Sequence, residues 1–476
     1  MRRTPAGARH DGRVTWSPSP RLLAAAEVVG AVLVTAGSWW VAAIPHSFRV
    51  DPPAVVDLMA PQAPPARVLY YLGAALMALG WLGFGRLAWR GRPASVRTLQ
   101  WTGVLSALPF LAAQPVASRD LWAYAAQAEA AARGLDPYAV GPSAVGGQFA
   151  ANVSPRWVDT PSPYGPLWTA VGRAFESVTG DHQVWGVLLL RVPSALGLVL
   201  LALVLPPLAR RVGASPSTAA WLAVANPMVV LHGVGGGHND LLMVAAMAAG
   251  MLVAVGGGPR WRALLLGGAL VGVGAAVKLP AVVVAPFLPL LWLRYAPGAP
   301  PWRVTTTWVE AVRERWRPLV SGLVWSLGGV VVVLAVTTVA GGHGLEWVSA
   351  ANTSDHGGGP FVTALLGVVL VVLWALAIRR GTLAFLAGAL LAPGLVSTFS
   401  LAWYWFWPLV PAALVVRGRL LTFLIAVESV FEVFYVRPNG QNFSLRPEFV
   451  IAWVVVVTWV ALDRHWRPFA PEPADA

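Results

Sequence analysis

The stretch SRDLWAYAAQAEAAARGLDPYAVGPSAV, Ser118–Val145, continued by DTPSPYGPLW at Asp159–Trp168, decides how this chain is read. It is the longest polar interruption in a chain that is otherwise mostly apolar. Between Ser118 and Trp168 lie the acids Asp120, Glu129, Asp136 and Asp159, the arginines Arg119, Arg133 and Arg156, and six Trp or Tyr side chains. A bare connector between membrane helices needs none of these groups, whereas loops carrying mixed charge and aromatics on a rigid frame are where function concentrates. From Asp120 to Arg133 the sequence is Ala-rich with Leu, Gln and Glu, which predicts a short helix. Gly134 is placed to stop it, and Asp136-Pro137 favours a turn. Such a helix would lie along the outer membrane surface, with Trp122 and Tyr124 at interface depth.

What flanks this stretch fixes the class. The 476 residues are 57% hydrophobic and 12% charged, with mean hydropathy +0.64; soluble domains carry roughly 25% charged residues. The chain therefore reads as an all-α polytopic membrane protein. Apolar runs of about 20 residues give about fourteen transmembrane segments, near 21–44, 67–89, 98–116, 183–209, 217–234, 239–256, 262–278, 279–294, 319–340, 361–378, 382–399, 401–416, 420–436 and 449–463. The pairs meeting near Lys278–Pro280 and Ser400–Trp403 read equally as single broken or re-entrant helices. The first run is too long for a signal peptide and no cleavage site follows it, so it reads as a retained span.

No cysteine is present, which excludes disulfides, thiol catalysis and Cys-ligated metals. The net charge of +13 comes from arginines scattered over many short loops, so no basic patch for nucleic acid forms. Their distribution sets sidedness. Arginines gather in alternate loops: residues 2–21, 86–97, 210/211, 260/262, 294–317, 379/380, 417/419 and 464/467. Both termini are then cytoplasmic, with tails at 1–20 and 466–476 around a transmembrane domain at 21–465. The loops 45–66, 118–182, 341–360 and 437–448 are outside.

Asp120 follows an apolar run directly. A carboxylate there can take a proton from a hydroxyl; it reads equally as a helix cap. A second constellation is NPMVVLHGVGGGHNDLLM, Asn226–Met243. Three glycines before a helix start offer backbone donors to an anion, with His238, Asn239 and Asp240 beside them; close helix packing and an ordinary N-cap are the bland alternatives. His238 with Asp240 has no metal-ligand spacing. Lys278, in VGVGAAVKLPAVVVAPF, is the one lysine among 34 basic residues. An ionisable group in an apolar run points to function, here to a lipid phosphate, unless it snorkels. Arg191, Glu428 and Glu432 lie inside apolar runs and read as pairing within the bundle; Glu27 reads as structural. Trp403-Tyr404-Trp405-Phe406-Trp407 reads as an aromatic belt, or as faces for sugar rings.

Taken together, SRDLWAYAAQ, GLDPYAVGP, SPYGPLW, the HND segment, KLPAVVVAPF and AWYWFWPLV resemble the polyprenol-phosphomannose-dependent α-1,6-mannosyltransferases of actinobacteria, membrane glycosyltransferases of the GT-C class. The resemblance runs from about residue 20 to 465. It implies a GT-C-type helical bundle, a polyprenyl-monophosphate mannose donor and a lipid-anchored mannan acceptor, meeting on the outer face of the plasma membrane. It implies an inverting displacement with Asp120 as base, and Lys278 with Arg119 or His238 on the donor phosphate. Tyr124, Asp136, Tyr138, Tyr164, Asn239, Asp240, Trp403 and Tyr404 are then expected against sugars. No cofactor or metal is expected. A secondary transporter or a lipid-linked glycan flippase are the rival readings; no internal repeat favours the transporter.

Overall fold

The structure is a computed structural model, and it describes residues 18–42, 64–180, 182–301, 307–353, 359–396, 401–416 and 419–435. The expected span 449–463, both tails, most of the loop 45–66 and the loop 437–448 lie outside the described residues. Every regular element among the described residues is helical.

The helices begin where the sequence supplies caps. Ser19 accepts from Leu22 N–H ahead of Pro20–Val41, Ser95 from Thr98 N–H ahead of Val96–Ala107, and Thr307 with Glu310 forms a capping box ahead of Trp308–Ala340. Among the described residues, six helices are long and apolar enough to cross a membrane: Pro20–Val41, Pro65–Trp89, Val184–Arg211, Arg260–Val277, Arg313–Ala340 and Phe361–Arg379. Only 28% and 11% of the last two spans is buried, so they form the lipid-facing rim.

Other expected spans are broken. The run 98–116 is a twelve-residue helix, Val96–Ala107, followed by a 3-10 turn at Pro109–Ala112. The run 217–234 holds an eight-residue helix, Pro216–Ala223, then a π-helical turn at Val229–Gly235. That turn meets Asp240–Ala254 at 116°, the geometry of a broken or re-entrant span. Pro109 and Pro227 remove backbone donors inside these runs, and the glycines at 233 and 235–237 allow the bend. The break expected at Lys278 is present. Arg260–Val277 ends there, Lys278 is extended (φ −154), and a 3-10 stretch Leu279–Phe287 leads into Leu288–Tyr295.

Basic residues read as cytoplasmic do meet at one end. Arg294 donates to the Arg380 carbonyl (2.8 Å) and Arg315 to that of Ile378 (3.3 Å). Among the described residues the expected pairing of Arg191 with an acid does not form. Arg191 is fully buried and donates to the Ala113 carbonyl at 2.7 Å, which ties down the segment leading to Asp120.

The short helix is Asp120–Ala132, ended by Gly134 at φ +79 with Leu135 N–H returning to the Ala130 carbonyl. It is packed inside protein rather than lying free on a surface. Trp122 and Tyr124 are each 2% exposed and ten of its residues are buried. Its alanines let neighbours close on every side; Ala128, for example, packs where Gly172 of the helix Pro166–Thr179 leaves room.

Candidate active site

Two glycines bring the distant motifs to this helix. Gly237 has φ +69, and a Cβ there would lie 2.5 Å from Leu121 Cδ2. The GGGHND loop is thereby pressed against the Asp120 helix. A Cβ on Gly165 would lie 2.3 Å from the Ala276 carbonyl oxygen, and Gly165 N–H donates to the Val277 carbonyl at 3.0 Å. The SPYG segment therefore docks on the last turn before Lys278, and Tyr164 comes to lie beside it.

The approach to Asp120 is constrained as well. Ala117 has φ +56, and no other non-glycine among the described residues has positive φ; such strain persists where surrounding structure over-determines it. Asp120 N–H donates to Ser118 Oγ at 3.1 Å. The N-cap position is Arg119 and no side chain caps the helix, so the Asp120 carboxylate is left to line a cavity. Behind it, His238 Nδ1 lies 3.4 Å from Asp120 Oδ2, and the imidazole stacks on Trp403 with centroids 3.5 Å apart. His238 is fully buried and does not line the cavity.

Lys278 forms the second polar element. It does not snorkel: it is 8% exposed, and its ammonium donates to both oxygens of Asp240 at 2.9 Å. Asp240, fully buried, also accepts from Trp407 Nε1 at 2.6 Å. The ammonium sits over the rings of Tyr404 (5.1 Å), Trp407 (5.4 Å) and Tyr164 (5.7 Å), each within cation–π range.

The cavity these groups share has a volume of about 310 Å³. Asp120, Gln127, Lys278, Tyr164, Trp403 and Tyr404 give it polar and aromatic walls. Val282, Val283, Leu366, Leu370 and Pro393 give it a greasy side, the leucines belonging to the lipid-facing span Phe361–Arg379. One cavity therefore offers a carboxylate, a cation, ring faces and an apolar wall. Burial, then the neighbouring Asp120 carboxylate, pushes the Tyr164 phenol well above its usual value; burial, then the Tyr164 phenol, does the same to Tyr124. Both remain hydroxyl donors.

Residues 25–294 match the family described as α-(1→6)-mannopyranosyltransferase, N-terminal domain. This chain belongs to the α-(1→6)-mannopyranosyltransferase family. Residues 359–463 match the MptB C-terminal domain. Among relatives, α-(1→6)-mannopyranosyltransferase A of Mycobacterium tuberculosis is 32% identical, covering 83% of this chain and 81% of its own length. A second α-(1→6)-mannopyranosyltransferase of that organism is 28% identical over 84% and 80%. α-(1→6)-Mannopyranosyltransferase B of Corynebacterium glutamicum is 27% identical over 67% and 55%. No solved structure matches the chain.

Within this mannopyranosyltransferase frame several expected residues take other places. Asp240, expected against sugar, is sealed behind Lys278 as its counter-ion. Arg119, expected on the donor phosphate, does not line the cavity; its guanidinium reaches the Asn152 carbonyl at 3.5 Å, and burial lowers its pKa. Asp136 Oδ1 accepts from Tyr138 N–H in the turn after Gly134 (3.0 Å). The Tyr138 hydroxyl pairs with Thr169 Oγ1 (2.8 Å) and its ring meets His343 edge-on. Neither Asp136 nor Tyr138 lines the cavity. Tyr124 packs edge-on to Tyr164 and Trp168 behind the cavity wall. Asn239 is fully buried and does not line the cavity, its amide without a hydrogen-bond partner among the described residues. Trp407, by contrast, was visible only as a member of the aromatic run. A buried Trp N–H needs an acceptor, but nothing local says that the acceptor is Asp240. Among the described residues no three His, Asp or Glu side chains gather as metal ligands.

Proposed function

We propose that this protein is a mannosyltransferase that moves mannose from a polyprenyl-phosphate donor onto a lipid-anchored α-1,6-mannan acceptor. The observation that carries the reading is the pairing, in one cavity, of the Asp120 carboxylate with the Lys278 ammonium beside an apolar wall. Family membership supports the sugar; the relatives' names supply mannose and the α-(1→6) linkage.

The acceptor hydroxyl gives its proton to Asp120 as its oxygen attacks the donor's anomeric carbon. The bond from that carbon to the phosphate oxygen breaks on the opposite face. A β-linked donor therefore yields an α-linked product in one displacement, through an oxocarbenium-like transition state. Negative charge grows on the departing lipid phosphate. The Lys278 ammonium has three N–H donors and gives two to Asp240; the third, with the Tyr164 and Tyr404 hydroxyls, suits that phosphate. Asp240 and Trp407 hold the ammonium in place, and His238 holds the carboxylate. The prenyl chain lies along Val282, Leu366 and Leu370. No metal takes part in this scheme.

The reaction takes place on the outer face, within one transmembrane domain whose apolar segments, about fourteen in the sequence, include broken ones. The helix Arg260–Val277 has 18 residues, about 27 Å, between its arginine end and Lys278. The arginine cluster at one end and the cavity at the other support opposite sides of the bilayer. The test is transfer by the purified protein from radiolabelled polyprenyl-phosphate mannose to a short α-1,6-mannoside in the presence of EDTA. Transfer from mannose, and little from arabinose or glucose lipid phosphates, is expected. Activity that EDTA removes and a divalent ion restores would overturn the metal-free scheme. Substrate uptake or lipid flipping without transfer would overturn the whole reading.

A further inference from the structure

Three residues of the Asp120 helix face the cavity: Asp120, Ala123 and Gln127. Spaced i, i+3 and i+7, they form one stripe of the helix. The middle one is a methyl group and leaves a groove. At the far end of the stripe Gln127 presents an amide with no hydrogen-bond partner among the described residues. Its Oε1 is sealed from solvent and unpaired. An amide oxygen buried without a partner is unfavourable in a finished fold. It is not spare helix polarity, because the next polar group along, Glu129, is engaged by Arg133.

We propose that Gln127 is a specificity residue that reads the second sugar of the acceptor glycan, and so distinguishes a chain from a single mannose. The proposal rests on the transfer reaction above. Asp120, as base, fixes the reacting hydroxyl at the start of the stripe. Seven residues carry the helix about 10 Å further, which is longer than one pyranose ring. The amide therefore meets the next sugar along the acceptor and not the one that reacts. Its oxygen being sealed, the amide meets that sugar through its NH₂, which donates to one of the sugar's hydroxyls. Trp157 lines the same cavity and offers an indole face to a ring's C–H groups. The donor is held elsewhere, with its phosphate at Lys278 and its lipid against Val282 and Leu366, so the donor does not reach the amide.

The experiment compares an octyl α-mannoside with an octyl α-1,6-mannobioside as acceptors for wild type, Gln127→Leu and Gln127→Glu. Wild type is expected to prefer the two-sugar acceptor. Gln127→Leu keeps roughly the volume, and should lower kcat/KM for the two-sugar acceptor about tenfold through loss of the amide's hydrogen bond to the second sugar. The one-sugar acceptor should change less than about twofold at such a cost, and the donor KM should be unchanged. Gln127→Glu keeps the shape but loses the NH₂ donor, and should show the same loss of preference as Gln127→Leu. An unchanged preference, or a loss shared equally by both acceptors, overturns the role of Gln127 and leaves the transfer reaction standing. Absence of transfer by wild type to either acceptor overturns the transfer reading and this proposal with it.

Discussion

At the scale of single residues, Lys278 and Asp240 show what sequence can and cannot say. The lone lysine in an apolar run marks itself. Its partner lies 38 residues away, and only the docking of two helix ends brings the two together. Asp240 therefore reads from sequence as a cap or a sugar ligand, although it is a buried counter-ion. Removing one member of a buried pair strands the other, at about 3–5 kcal/mol. Lys278→Met should accordingly lower the melting temperature of the detergent-solubilised protein and abolish transfer. The double variant Lys278→Met/Asp240→Asn should regain most of the melting temperature and none of the activity. A single variant that melts like wild type would mean that the pair contributes nothing. Asp120 was ambiguous for a related reason. Base and cap use the same residue at the same place, and only its position inside the first turn, with the carboxylate lining the cavity, separates them.

At the scale of elements, the helix Asp120–Ala132 and its Gly134 stop were legible, because local composition and a glycine in the left-handed region decide them. Its depth was not, since an Ala-rich helix between polar loops reads the same on a surface or inside protein. The spans with long unbroken apolar runs were legible. Those interrupted by Pro109, Pro227 and the 233–237 glycines are not single helices, because hydropathy averages across a break that backbone geometry obeys. The element contact on which the site most depends is Gly165 against the end of Arg260–Val277. Gly165→Ala places a Cβ 2.3 Å from the Ala276 carbonyl oxygen, and overpacking of this kind costs about 1–3 kcal/mol. It should push the 157–164 wall off the Lys278 turn. Transfer should fall at least tenfold, at a shift of about 1–3 kcal/mol, with the protein still extracted and monodisperse. Wild-type kinetics in Gly165→Ala would show that this contact does not shape the cavity.

At the scale of the whole molecule, the scheme places the Asp120–Lys278 end outside and the arginine end inside. The chain has no cysteine, so single cysteines report sidedness without background. Ser177 is exposed within the 118–182 loop read as outside, and Pro93 is exposed in a loop read as cytoplasmic; Ser177→Cys and Pro93→Cys place one thiol in each. A membrane-impermeant maleimide should label the first in intact cells and the second only after permeabilisation; the reverse pattern would invert the topology. The central claim is narrower, namely that Asp120 takes the acceptor's proton in a glycosyl transfer. The most direct measurement of it is transfer of radiolabelled mannose from polyprenyl phosphate to a short α-1,6-mannoside by wild type and Asp120→Asn side by side, with donor binding measured on both. The account predicts turnover by wild type and a loss of about 10²–10⁴-fold in Asp120→Asn, with donor affinity kept. Undiminished transfer by Asp120→Asn would contradict it.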